Sequence, residues 1–134
     1  MHINRVQPEG LHPTPGYHHV TIVESGRTAY LAGQCPLDES ATLVGPGDLL
    51  AQTDQVVTNA LAALSAAGAT PSDVVRSVIY VASGERADLS AVWQRLNEGP
   101  LAQAFTTTST LLGVAALGFP GQLVEVDLTA ALAG

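Results

Sequence analysis

Val74-Val75-Arg76-Ser77-Val78-Ile79-Tyr80-Val81-Ala82 is mostly β-branched or aromatic, the composition of a strand that lies in mid-sheet. Helical periodicity flanks it on both sides. Upstream, Asp48 opens a helix running to about Ala67, in which Leu50, Val57, Leu61 and Leu64 share one face. Gly68 and Pro71 end it, because neither residue continues a helix easily. Downstream, Leu89, Val92, Trp93 and Leu96 mark a second amphipathic helix, from near Asp88 to near Gly99 and Pro100.

The outer segments supply the remaining strands. His19 to Val23 and Thr28 to Ala32 are β-rich runs separated by Glu24, Ser25, Gly26 and Arg27, which predicts a hairpin. Before them, residues 1–16 carry Pro8, Pro13 and Pro15 and read as an irregular arm with a short strand at its start. A loop through Pro36, Gly45, Pro46 and Gly47 leads into the first helix. After the second helix, Thr107 to Leu117 and Gln122 to Leu132 are strand-like, with a turn at Gly118 to Gly121. The fold class is therefore α+β: β-β-α-β-α-β-β, a mixed sheet with two helices on one face, in a single domain over residues 1–134. The strands carry apolar residues on both sides, and the chain offers no second covering layer. Subunits packing sheet edge to sheet face would supply one.

Composition narrows the function. The formal net charge is −7, and the five basic residues are all arginines, scattered at Arg5, Arg27, Arg76, Arg86 and Arg95. A phosphate backbone requires clustered positive charge, so nucleic acid is not an expected partner. Without lysine, no side-chain amine is available for a Schiff base. Hydrophobic residues make up 46% and charged residues 13%, too apolar for disorder and suited to subunit contacts. Cys35 is the only cysteine, so no disulfide forms within the chain, and a reducing, cytoplasmic setting is expected. The opening residues lack the apolar core of a signal peptide, and no run has the roughly 18 apolar residues of a membrane span.

The sequence holds no GxGxxG, Walker loop, HExxH or paired CxxC, so neither a cofactor nor a metal is expected. His18 and His19 are adjacent and on a strand would point to opposite faces, unable to share one metal. Glu125 and Asp127, two apart, share a face of the last strand. They form either a solvent-facing rim or a cleft carboxylate that orients water or a substrate N–H group.

The run Gly16-Tyr17-His18-His19-Val20, followed by Tyr30-Leu31-Ala32-Gly33-Gln34-Cys35-Pro36-Leu37-Asp38, resembles the N-terminal signature of the Rid proteins, also called the YjgF type. Ala66-Ala67-Gly68-Ala69 with Asp73-Val74-Val75-Arg76-Ser77-Val78-Ile79-Tyr80-Val81 resembles their first-helix exit and central strand. Gly113-Val114-Ala115-Ala116-Leu117 with Leu123-Val124-Glu125-Val126-Asp127 resembles their closing strands. The resemblance implies a chorismate-mutase-like fold, a homotrimer and ligand clefts at the subunit interfaces. It also implies hydrolysis of reactive imines or enamines to a keto acid and ammonia, a deaminase-like activity in a family long labelled endoribonuclease L-PSP. Tyr17 and Glu125 match family cleft positions, and His19 matches a histidine of arginine-less relatives. By the same resemblance these three are the catalytic candidates, and Thr108, Ser109, Gly33, Ala32 and Trp93 are the ligand-binding ones.

The family's carboxylate-clamping arginine is missing. Phe105-Thr106-Thr107-Thr108-Ser109-Thr110-Leu111 brings no cation there, and Thr108 or Ser109 takes the place. A hydroxyl gives one hydrogen bond where guanidinium gives a charged fork, costing about 2–4 kcal/mol of carboxylate binding. Two functions follow: an enzyme for a neutral imine, enamine or carbonyl compound, or a non-catalytic trimer that binds a metabolite or supports a partner. Either way, purified protein is expected neither to cut RNA nor to bind it salt-dependently in a filter or gel-shift assay. Reproducible cleavage by nuclease-free protein would overturn that expectation.

Overall fold

Residue alternation in two long strands sets the layers. The structure, a computed structural model, describes residues 2–133. In chain order the strands and α-helices are β1 (Ile3–Val6), β2 (Val20–Val23), β3 (Arg27–Tyr30), α1 (Leu49–Ala66), β4 (Val74–Val81), α2 (Arg86–Glu98), β5 (Thr108–Gly113) and β6 (Val124–Leu132). On β6, Val124, Val126, Leu128, Ala130 and Leu132 are buried, while Glu125, Asp127 and Thr129 point the other way. On β4, Val74, Ser77, Ile79 and Val81 are buried in the same core. The helices cover this face. Val56, Val57, Ala60 and Leu64 of α1 and Val92 and Leu96 of α2 complete one hydrophobic cluster, the α+β arrangement expected from the sequence.

The main sheet has the order β3-β6-β4-β5. β4 is interior, antiparallel to β6 and parallel to β5, with α2 as the crossover between the parallel pair. β5 and β6, consecutive in sequence, are thus separated by β4. The residues from Val114 to Leu123 span the sheet rather than forming a hairpin. Opposite the helices lies a mixed face. Tyr30 there is 82% exposed and Leu112 is 41% exposed, and the sheet register sets Arg76, Val78 and Tyr80 of β4 among them.

The hairpin expected between residues 19 and 32 does not form. β2 pairs with β1 in a separate two-stranded sheet, and β3 pairs with β6. Two backbone contacts explain the divergence. The Glu24 N–H donates to His2 O at 2.6 Å, extending the β1–β2 ladder to its end. Gly26, at φ +110°, then passes against the Leu132 carbonyl so closely that a Cβ would collide, and the chain leaves along β6.

Helix α1 begins as its sequence predicts, with Asp48 Oδ1 accepting from the Ala51 N–H at 3.0 Å. Gly68, at φ +77°, ends it, and Ala69 N–H returns to Leu64 O. Val57, Leu61 and Leu64 pack into or against the core as expected, but at its start the buried face is rotated from the leucine stripe. Leu50 is 36% exposed, whereas Gln52 and Thr53 have no exposed surface. Gln52 explains the rotation: Nε2 donates to Gly45 O and Gly121 O, each at 3.1 Å, and Oε1 accepts from Leu123 N–H at 2.8 Å. Further along α1, Asn59 Nδ2 donates to Cys35 O and Leu37 O. The segment after α2 was also unforeseen as structure. A 3-10 turn at Ala102–Phe105 buries Ala104 and Phe105 completely, next to Leu101.

Gln52 therefore ties two loops to the core through one amide. Gln52→Leu keeps the size and strands three backbone partners, so the variant should lose about 2–4 kcal/mol of folding stability. Urea unfolding monitored by Trp93 fluorescence measures this, and an unchanged midpoint would show that the amide is dispensable.

Candidate functional site

A cleft of about 500 Å³ opens between the N-terminal arm, α2 and the free edge of β5. Pro15 and Tyr17 come from the arm, Ser90 and Trp93 from α2, and Ser109, Thr110 and Leu111 from β5. None of these carries a charge. The aromatic wall is built edge to face: Tyr17 and Trp93 have ring centroids 6.3 Å apart, and Trp93 and the buried Phe105 are 6.1 Å apart. The core thus anchors the cleft through Trp93.

The structure separates the two candidates for the missing arginine's place. Ser109 lines the cleft and hydrogen-bonds with Ser77, which is fully buried. Ser109 Oγ also lies 3.2 Å from Phe105 O. Thr108, one residue earlier on the strand, points to the other face and donates to Val75 O at 2.6 Å. Only Ser109 faces the cleft.

The histidines divide differently from their sequence pattern. His19 lies in a shallow depression with Gln7, Leu11 and His12, outside the cleft. Its Nε2 donates to His12 O at 2.8 Å and its backbone N–H to Gln7 Oε1 at 2.9 Å. Its ring stands edge-on to Tyr17. The imidazole in contact with the Tyr17 hydroxyl is that of His12, Nε2 to Oη 3.1 Å. His12 was not foreseen, because no period or motif marks a contact within an irregular arm. His18 points elsewhere, its Nδ1 bonded to Thr106 O and its backbone N–H to Thr107 O. The two neighbouring histidines therefore do not converge, and among the described residues no three metal-ligating side chains do.

Glu125 forms a second cluster with Gly33 and Cys35. Its Oε1 accepts from Gln122 Nε2 at 3.1 Å and from the Cys35 thiol at 3.4 Å. A Cβ on Gly33 would overlap the Glu125 carboxylate, so a larger residue there would displace that side chain. Ala32 is exposed at the start of this loop and its carbonyl accepts from Gln34 Nε2. Burial pushes the Cys35 thiol up to about 11, with the charge of Glu125 and its hydrogen bond acting in the same direction. Asp127 shares the face of Glu125 one pleat further on.

Within one chain the clusters stand apart. Tyr80 pairs with Leu112 on one side and Glu125 on the other, so β4 separates β5 from Glu125. Two strand spacings amount to roughly 10 Å, and Ser109 and Glu125 lie on opposite faces. Tyr17, Trp93 and Ser109 meet in the cleft; Glu125 and Gly33 meet in the second cluster.

Comparison with known proteins supplies the wider setting. A sequence model described as Endoribonuclease L-PSP matches residues 9–132. The protein DfrA of Myxococcus xanthus is 34% identical over 116 residues, which is 85% of this chain and 83% of that protein. The crystal structure of YyfB from Yersinia pestis, a Rid-family protein of unknown function, superposes with a TM-score of 0.87 at 38% identity, covering 98% of this chain and 100% of that one. A YjgF-family structure from Mycobacterium tuberculosis gives 0.59 at 30% identity, covering 97% and 99%. With the same two-helix mixed sheet and a family match over nearly its whole length, this chain belongs to the Rid (YjgF, endoribonuclease L-PSP) family.

Proposed function

We propose that this protein is a homotrimer that takes a small, uncharged imine, enamine or carbonyl compound into clefts at its subunit interfaces and hydrolyses the carbon–nitrogen bond. The uncharged lining of the cleft carries the substrate class. Tyr17 and Trp93 provide flat apolar walls, Ser90, Ser109 and Thr110 provide hydroxyls, and no cation is present to hold a carboxylate. A planar conjugated C=N or C=C–N group suits such walls. The separation of Glu125 from the cleft supports assembly, since the two halves lie on opposite faces of one sheet. A neighbouring subunit packed on the mixed face would bring them together.

The chemistry balances with the groups present. Glu125 accepts a proton from water as the oxygen adds to the imine carbon, and the Tyr17 hydroxyl, backed by His12, gives one to the nitrogen, forming a neutral carbinolamine. Protonated Glu125 then returns its proton to the nitrogen as the C–N bond breaks, while the Tyr17 phenolate takes the carbinolamine O–H proton. Ammonia or an amine leaves, a carbonyl compound remains, and both groups are restored. No oxidant, reductant or metal is required. The product is cytoplasmic metabolite chemistry rather than nucleic-acid chemistry.

Freshly generated imines presented to the purified trimer test this. Neutral imines should be cleared, and the carboxylate-bearing 2-aminoacrylate cleared little. Ser109→Arg should improve clearance of 2-aminoacrylate, and Glu125→Gln should remain trimeric with turnover lowered about 10²- to 10⁴-fold. A monomer by light scattering at micromolar concentration, or full turnover by a trimeric Glu125→Gln, would sink the proposal. Binding of the whole panel without any turnover would instead identify a non-catalytic metabolite-binding trimer.

A further inference from the structure

Glu125 is not simply a carboxylate on a strand, because two separate loops reach it and both donate to the same oxygen. Gln122 is 4% exposed, and its amide is fully committed. Nε2 donates to Val124 O and to Glu125 Oε1, each at 3.1 Å, and Oε1 accepts from Phe119 N–H at 3.1 Å. Flipping the amide would break all three contacts, so its orientation is fixed by the network. From the other loop, the Cys35 thiol donates to the same Oε1 at 3.4 Å. That loop is clipped to β6 beside Glu125: Gln34 N–H donates to Val126 O at 2.7 Å, and Val126 N–H returns to Gln34 O at 3.1 Å. Glu125 Oε2 lies over the bare backbone of Gly33.

We propose that Gln122 and Cys35 are the positioning pair of Glu125, holding Oε1 between them and leaving Oε2 as the oxygen that meets water or ligand. This rests on the reading of Glu125 as the base of the proposed reaction. Neither residue touches the reacting atoms; both act through the carboxylate. The charged or polar groups against the thiol are Glu125 from β6 at 3.4 Å, the Gln122 amide and the Gly33 carbonyl, a second acceptor at 3.6 Å; α1 contributes Asn59, which is uncharged and bonds the Cys35 carbonyl. The upward-shifted thiol keeps its proton at neutral pH, so it is a donor throughout the working range.

One cysteine makes the arrangement directly observable, because the protein has a single S–H stretching band. The band should lie at the low frequency of a thiol bonded to a carboxylate and move upward in Glu125→Gln. Its loss with pH should have a midpoint of about 11, and in that variant the midpoint should drop by the share owed to the carboxylate's charge and hydrogen bond, while burial still holds it above 9.0. The folded state holds this proton more tightly than the unfolded chain. Stability is therefore complete below pH 9.0 and declines as pH rises toward about 11, a decline that Cys35→Ser should remove. In turnover, Cys35→Ala should lower kcat about ten- to a hundredfold at unchanged KM, and Cys35→Ser, which keeps a donor, should recover most of it. Gln122→Met should do the same as Cys35→Ala. A band insensitive to Glu125→Gln, or equal turnover in the Ala and Ser variants, would overturn the pair. A band that responds as expected in a protein that hydrolyses no imine would keep the pair and refute the hydrolase reading instead.

Discussion

Gln52 occupies the first half of α1 with no exposed surface, and its amide closes three hydrogen bonds to segments that have no regular structure of their own. A buried amide left without partners would cost about 1–3 kcal/mol for each group stranded, so the surrounding backbone is not free to rearrange. Gly45, Gly121 and Leu123 are fixed relative to the helix, and Gln122 between the last two is fixed with them. Two turns along, Asn59 performs the same service for Cys35 and Leu37. The two loops that reach Glu125 are thus both suspended from one helix. The carboxylate inherits its position from the polar residues of α1, not from the sheet alone.

This division of labour explains why the cleft and the Glu125 cluster differ in character. The cleft is anchored by packing, through Phe105, Trp93 and Tyr17. Packing tolerates ligands of varied outline, because apolar contact has little direction. Glu125 is anchored by directional hydrogen bonds, which specify one orientation of one carboxylate. The surface ion pair between Arg95 and Asp54, a bidentate contact joining the two helices, belongs to neither system. Both its side chains are about half exposed, so it adds little.

The central strand, the two helices and the layer order were legible from apolar periodicity, because burial on one face is what periodicity records. The same logic found Val57, Leu61 and Leu64 on the inner face of α1 but missed its first turn, since Gln52 and Thr53 are polar yet wholly buried and Leu50 is not. Strand existence was legible at residues 20–23 and 27–30, but their partners were not. Adjacency in sequence suggests a hairpin, whereas β1 and β6 offered the better ladders. Leu101, Ala104 and Phe105 escaped notice because a single 3-10 turn is too short to show a period. At the site, the two-residue spacing put Glu125 and Asp127 on one face, and family resemblance brought Tyr17, Trp93 and Ser109 into view. His12 and Gln122 carry no such signal. Their contacts are made by irregular chain, whose path depends on tertiary structure.

Ser109 shows what replaces a clamp when the arginine is absent. Its hydroxyl has one proton to give, and the Phe105 carbonyl stands within reach of it. Ser77, fully buried beside it, shares a hydrogen bond with Ser109 Oγ in which either hydroxyl can be the donor. Ser109 can thus turn either its proton or a lone pair toward the cleft, but it cannot offer the charged fork of a guanidinium. What sets the cleft apart is therefore the charge it lacks: hydroxyls and flat aromatic walls stand where a guanidinium would otherwise dominate, and none of the lining side chains is a cation.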